Sequence, residues 1–356
     1  MKLSFRYFSN VVNVNKLKRS VLISQSNDIY TNLALEDWIY RKYDFENHNI
    51  LMLWSNDPCV VIGRYQNPWL EANVTDLPYV TAAGVKLARR NSGGGTVYHD
   101  RGNLNLTFFT SKKQYDRKLN LQLIKAAIYK EYGLKVDVSP RDDLVIDDLK
   151  VSGTAAKLGR LSAYHHCTLL VNANKTNISR ALQKECSDIK TTASRSVRSK
   201  VVNLCDENPL ITVGGLISAI GREFLQQDTD DEFQYLNPTN AAFPELDKIR
   251  TVLSEWNWCF GKTPKFIVTK SFIIPSKFLV NERDQELGII ITVENGKISD
   301  VTLNDLTGLF SLEAVMINKL RDCRFTPETI DGLIQSLLEE KYKFVSDCVR
   351  QVMTSI

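Results

Sequence analysis

The sequence predicts a mixed α/β (α+β) protein of two units, and three observations carry that expectation. Its 356 residues, 43% hydrophobic and 24% charged, suffice to bury a large core and divide most simply into two domains. Strand-like and helix-like runs follow one another without the regular alternation of a doubly wound parallel sheet, which points to mixed α/β order. Near Trp256 the character changes: WNWCFGKTPKF sets aromatic residues beside Gly261 and Pro264. That boundary leaves a larger unit over residues 20–262 and a smaller one over 263–356.

The elements follow in order. VLISQSNDIYTNLALEDWIYRKY reads as a short strand, a turn and a helix with Asn27 or Asp28 at its N-cap, and Leu33, Glu36, Asp37 and Tyr40 take neighbouring helical positions. ILMLWSNDPCVVIGRYQNP gives two buried strands around a turn at Asn56–Pro58. VKLARR and NLNLTFFT are strands flanking a glycine loop, and LQLIKAAIYKEYG is a helix ended by Gly133. Leu144–Ile146 and Thr168–Val171 are strands, with a hairpin at Asp147-Asp148 that returns Lys150 toward the sheet. In the smaller unit, Asn295-Gly296 is a type I′ hairpin signal, and Thr326-Pro327-Glu328 caps a C-terminal helix. DTDDE around Asp230 is a solvated acidic loop.

Composition narrows the function. No apolar run reaches the roughly 18 residues of a membrane span, and a net charge of +4 spread along the chain makes no case for nucleic acid. The seven cysteines are scattered without a Cys-x-x-Cys pair, as in a reducing compartment. His165, His166 and Cys167 are neighbours on a strand; adjacent side chains point to opposite faces, so no metal site is expected. The first 27 residues carry Lys2, Arg6, Lys16, Lys18 and Arg19 and no acid before Asp28. That is the composition of a mitochondrial presequence, here residues 1–19.

Two stretches hold candidate chemistry. In RRNSGGGTVYHDRGNLNLTFF no lysine follows Gly95, which excludes a P-loop, and Tyr98 stands where a dinucleotide fingerprint needs its third glycine. A loop remains whose backbone can approach a ligand closely, with Arg89 and Arg90 to attract an anion, or else a tight turn between strands. In the second stretch Lys150 is followed by Ser152, Gly153 and Ala155, which leaves room for a ligand; a solvated surface lysine is the alternative.

Taken together, NLALE, VVIGRYQNPW, the glycine stretch, KVSGTA, AYHHCTLL, SVRSKVVNL and WNWCFGKTPKF closely resemble the lipoate-protein ligase A family, most of all its mitochondrial lipoyltransferase branch. The resemblance implies a biotin/lipoate-ligase-like mixed-sheet catalytic domain with a small C-terminal domain, in the mitochondrial matrix. It implies transfer of an activated lipoyl group, from lipoyl-AMP or from the lipoyl H protein of the glycine cleavage system, to a lysine on the lipoyl domains of 2-oxoacid dehydrogenases. Lipoyl-AMP or lipoate would be substrate, with no permanently bound cofactor, and magnesium would enter only if ATP activation is retained.

Carried over residue by residue, Lys150 becomes the essential cation for the phosphate and carbonyl oxygens. Arg90, Ser92, Gly93, Gly94 and Gly95 lie along the acyl-adenylate, walled by Val97 and Tyr98, with His99 and Asn103 as further binding positions. Arg141 and Asp143 are polar contacts, Ala155, Lys157, His166 and Thr168 form the far side, and Glu36 lies near the lipoate end. Bacterial ligases have Arg-Asn-Asp where this chain has Arg141-Asp142-Asp143, an extra carboxylate where ATP phosphates would lie. Three functions follow: a lipoyl amidotransferase, a full ATP-dependent ligase, or a non-catalytic lipoyl-adenylate-binding protein. A thioester-forming acyltransferase of the octanoyltransferase kind, with Cys167 as nucleophile, is a subsidiary enzyme option.

Overall fold

The computed structural model describes residues 17–182, 188–227, 232–238, 241, 243–279, 285–305, 319–334 and 340–354. The presequence expectation up to residue 16 and most of the DTDDE loop lie outside them.

A six-stranded mixed sheet forms the centre. Its strands are β1 (Lys18–Ser24), β2 (His48–Trp54), β6 (Asn103–Ser111), β10 (Thr154–Leu158), β11 (Ser162–Leu170) and β13 (Phe233–Leu236), in the order β10-β11-β6-β2-β1-β13. β1 runs parallel to β2 and β13, and the other pairs are antiparallel. β1 starts at Lys18, two residues before the expected folded start at Ser20.

The apolar run in β2 follows from burial on both faces. Leu51 and Leu53 pack with α4 (Arg117–Tyr132) and α7 (Val213–Leu225), whereas Ile50, Met52 and Trp54 join α1 (Ile29–Lys42) and α8 (Leu246–Ser254). Asp28 caps α1 through Thr31 N, and Gly133 ends α4 at φ 67°. Of the two strands expected around Asn56–Pro58, β3 (Cys59–Ile62) leaves the main sheet. It lies between β4 (Lys86–Arg89) and β5 (Val97–His99) in a three-stranded sheet that carries the glycine loop.

A third small sheet joins β7 (Asp137–Val138), β8 (Leu144–Ile146) and β9 (Leu149–Lys150). Asp147 and Asp148 take positive φ of 47° and 64° between β8 and β9, and the turn sends Lys150 back antiparallel to Val145. Short helices α2 (Pro68–Glu71), α3 (Leu77–Val80), α5 (Lys175–Ala181), α6 (Leu204–Glu207) and α9 (Trp256–Cys259) fill connections.

The C-terminal unit is an antiparallel sheet in the order β12 (Ile189–Thr191), β14 (Phe266–Ile273), β15 (Glu286–Glu294), β16 (Lys297–Asp305), packed with α10 (Pro327–Ile334) and α11 (Glu340–Thr354). Asn295 and Gly296 form the hairpin turn at φ 52° and 71°. A boundary at 262/263 does not divide the structure cleanly. Edge strand β12 comes from the preceding unit, and Trp69 of α2 packs against Phe260, Phe266 and Phe325.

Candidate active site

Between α1, the glycine loop and β11 lies a cavity of about 400 Å³. Its buried inner end has apolar walls in Leu33, Trp54 and Val61 beside the polar Arg90, His99 and Asn105, while the more exposed Arg117, Arg141, Asp143, Lys150 and Arg195 give it a charged mouth. One end suits an acyl chain and the other an anionic leaving group.

The glycine loop keeps its shape through internal bonds. Arg90, buried to 4% exposure, donates from Nη2 to the carbonyls of Gly93 (2.6 Å) and Gly95 (2.7 Å), from Nη1 to Val61 O and from Nε to Ser92 Oγ. Burial draws its pKa down to about 10. Gly94 turns at φ 87°, and its carbonyl oxygen would lie 2.1 Å from any Cβ at Gly63, so both positions need glycine. The expectation that Arg89 and Arg90 sit free to attract an anion is corrected. Arg89 is fully buried and donates to the carbonyls of Gly63, Arg64, Gln66 and Cys259 and to Thr263 Oγ1. It stitches the glycine-loop sheet to the 259–263 segment, while Arg90 braces the loop from inside.

A chain of polar contacts backs the loop. Ser92 Oγ meets His166 Nε2 at 2.8 Å, and His166 Nδ1 meets Glu36 Oε1 at 2.9 Å, where Thr107 Oγ1 also donates. Burial alone would raise the Glu36 carboxyl, but His166, Thr107 and the Lys157 charge hold it below the usual carboxylate range. Glu36 contacts His166, and Ser92 contacts both His166 and Arg90; Glu36 and Ser92 are absent from the cavity lining, where His166 and Arg90 appear.

His99 is placed by a similar network. Asn32 Nδ2 donates to Asn56 Oδ1, which turns the Asn56 amide nitrogen toward His99 Nδ1 at 2.9 Å. Nδ1 must therefore accept, and Nε2 carries the proton. Nε2 has no partner among the described residues, and His99 lines the cavity. Burial, with the Arg90 charge nearby, lowers its pKa to about 3, so the ring is neutral.

At the mouth Lys150 Nζ lies 3.0 Å from Asp143 Oδ1, and Arg117 Nη1 lies 3.2 Å from Asp142 Oδ2. Asp142 adopts φ 59°, a left-handed conformation that Asn and Asp tolerate better than most residues. Both carboxylates are ion-paired. Among the described residues, no three His, Cys, Asp or Glu side chains converge as metal ligands.

The structure brings Arg90, Gly94, Gly95, Val97, His99, Arg141, Asp143, Lys150, Ala155, His166 and Thr168 to one cavity. It places others elsewhere. The Gly93 carbonyl accepts from Arg90, and buried Asn103 reaches the cavity only through Asn105, whose Oδ1 it approaches at 3.1 Å. Tyr98 packs with Val60, Ile62 and Ala181 in a separate core. Lys157 sits over the Tyr40 ring at 4.4 Å and 3.4 Å from Asp37 Oδ1. Cys167 lines the cavity, but burial pushes its thiol far up, which disfavours a thiolate nucleophile.

Sequence reasoning missed Leu33, Trp54 and Asn105, which look like ordinary core positions, and Arg117, which carries no local signal. It also missed Ser194–Val197; the SVRSKVVNL motif begins inside that segment, yet no role had been attached to it.

An inner end with apolar walls, a cationic mouth and a braced glycine loop on a mixed sheet define an acyl-transferring enzyme of the lipoate-ligase fold. The lipoyl protein ligase A/B catalytic-domain family matches residues 28–225, and the chain belongs to that family. It is 44% identical over 282 residues to the human mitochondrial lipoyl amidotransferase LIPT1, covering 78% of this chain and 74% of the human protein. The mouse protein is similar at 44% over 283 residues. The lipoate-protein ligase A of Psychrobacter cryohalolentis is 38% identical over 70% of this chain and 74% of its own length. Among solved structures, P. falciparum LipL1 in complex with lipoate superposes with TM-score 0.58 at 27% identity, over 95% of this chain and all of that one. A lipoate-protein ligase A bound with ATP shares the fold at TM-score 0.52 and 22% identity, over 68% of this chain and 96% of that one.

Proposed function

We propose that this chain is a mitochondrial matrix lipoyl amidotransferase that takes an already activated lipoyl group, from lipoyl-AMP or the lipoyl H protein, and delivers it to a lysine of 2-oxoacid dehydrogenase lipoyl domains. The observation that carries this reading is the mouth, where Lys150 lines the cavity with Arg117, Arg141 and Arg195 while Asp142 and Asp143 are already ion-paired. The lipoyl tail occupies the inner end, beside the neutral His99 ring. The acceptor amine attacks the anhydride carbonyl; a C–N bond forms, the bond from carbonyl carbon to phosphate oxygen breaks, and AMP leaves with the electron pair. The amine proton passes to solvent. Lys150 stabilises charge on the carbonyl oxygen and the departing phosphate without forming a covalent intermediate.

Asp142 bears on activation. Its carboxylate holds Arg117, a cation of the mouth, and so withdraws positive charge that a triphosphate needs more than a monophosphate does. A purified acceptor domain incubated with lipoyl-AMP is expected to be lipoylated, and with lipoate and Mg-ATP to be lipoylated little or not at all. Robust transfer from lipoate and Mg-ATP with no other enzyme present would establish a ligase instead.

A further inference from the structure

The segment 192–202 contributes Ser194–Val197 to the wall of the cavity. Its backbone is tied at one end by Ser194 N to Tyr65 O (3.1 Å) and at the other by Lys150 N to Lys200 O (2.9 Å). Between these points it is held at Ser196. The Ser196 hydroxyl donates to Glu71 Oε2 and accepts from Thr96 N (2.8 Å) and Gln66 Nε2 (3.0 Å), while Ser196 N donates to Glu71 Oε1 (3.0 Å). One hydrogen and two lone pairs are all engaged, which excludes Ser196 as nucleophile or ligand contact. Gln66 Oε1 closes the circuit by accepting from Gly63 N and Thr96 Oγ1.

We propose that Ser196 and Glu71 are a positioning pair that locks the 192–202 segment to the glycine loop, so that the two walls of the lipoyl-AMP cavity are set as one unit; this rests on the proposed function for its ligand. The carboxylate matters because it alone in the circuit is purely an acceptor. It takes both the hydroxyl and the amide of Ser196, which leaves the hydroxyl lone pairs free for Thr96 of the glycine loop. Replacing it by an amide puts a third N–H donor against an oxygen that already accepts two, and the circuit must open.

Ser196→Ala, Glu71→Gln and the double variant are made in the full chain. Amide hydrogen exchange is followed without ligand over peptides covering 94–97 and 193–199, and transfer kinetics are measured with lipoyl-AMP. Each single variant should speed exchange in both peptides and raise KM for lipoyl-AMP by roughly tenfold with a smaller change in kcat, as expected when a charge-assisted bond is lost. The double variant should be no worse than the more affected single one, because both break one contact. Unchanged exchange at 94–97 in either single variant, or effects that multiply in the double, would overturn the proposal. Glu71→Gln conserves volume and keeps the test open if Ser196→Ala folds poorly. Should the wild-type chain not use lipoyl-AMP, the functional reading fails while the exchange result still decides the pairing.

Discussion

Lys150 and Asp143 meet at 3.0 Å in the mouth of the cavity, at 25% and 13% side-chain exposure. The contact holds the ammonium in place between substrate bindings, so no side-chain ordering is needed at the moment charge develops on the ligand. Lys150→Met keeps the aliphatic stem but leaves the Asp143 carboxylate facing the adenylate phosphate. Two effects then act in one direction: a stabilising cation is lost and a repelling anion is unmasked. Transfer from lipoyl-AMP should fall roughly a hundredfold or more in a protein whose circular dichroism and thermal unfolding stay close to wild type. A folded variant with near-normal transfer would remove Lys150 from the mechanism.

At the level of elements, the first strand sets where the folded chain must begin. Lys18 and Arg19 lie within β1, pairing with His48 and Asn49 of β2, and Arg19 Nη1 donates to Phe224 O at the end of α7 (3.0 Å). Removing residues 1–16 leaves β1 whole. Removing 1–19 cuts two ladder positions and the Arg19 bond, which should lower unfolding stability by about 1 kcal/mol; urea midpoints that match for the two truncations would refute this. Local pattern marked the interior of β1 but not its first turn of ladder, because Lys and Arg carry no strand signature of their own. The same holds elsewhere. Hairpins at Asp147-Asp148 and Asn295-Gly296 were legible because positive φ selects their residues. The departure of β3 from the sheet that holds β2 was not, since both strands are apolar and pairing depends on partners far away in the chain. Arg89 and Arg90 illustrate the limit within the site. Two adjacent cations read as an anion lure, and only the fold reveals the carbonyls that surround each guanidinium.

For the molecule as a whole, buried polar groups in and around the cavity wall also govern its response to acid. His99 and His165 are buried on different faces of the structure, and burial lowers both to a pKa of about 3, against about 6.5 in an unfolded chain. Between these values the unfolded chain binds up to two protons at these two sites that the native protein refuses, and His48, also lowered by burial, adds a loss of the same sign, so stability falls as pH drops below about 6.5. Glu36 adds a loss of the same sign at lower pH. Its folded carboxyl titrates below the ordinary carboxylate range, so its contribution is present above that range and disappears as pH falls through the folded value. Urea unfolding between pH 4 and pH 8 should therefore give a free energy that is flat near neutrality and declines toward acid. His99→Gln removes one of the refused protons and should reduce the slope between pH 4 and 6 by about 1.4 kcal/mol per pH unit, while the His165 share persists. A slope unaffected by His99→Gln would mean that His99 takes up its proton in the native state, and the Asn32–Asn56–His99 network would then not hold the ring as the neutral Nε2–H tautomer.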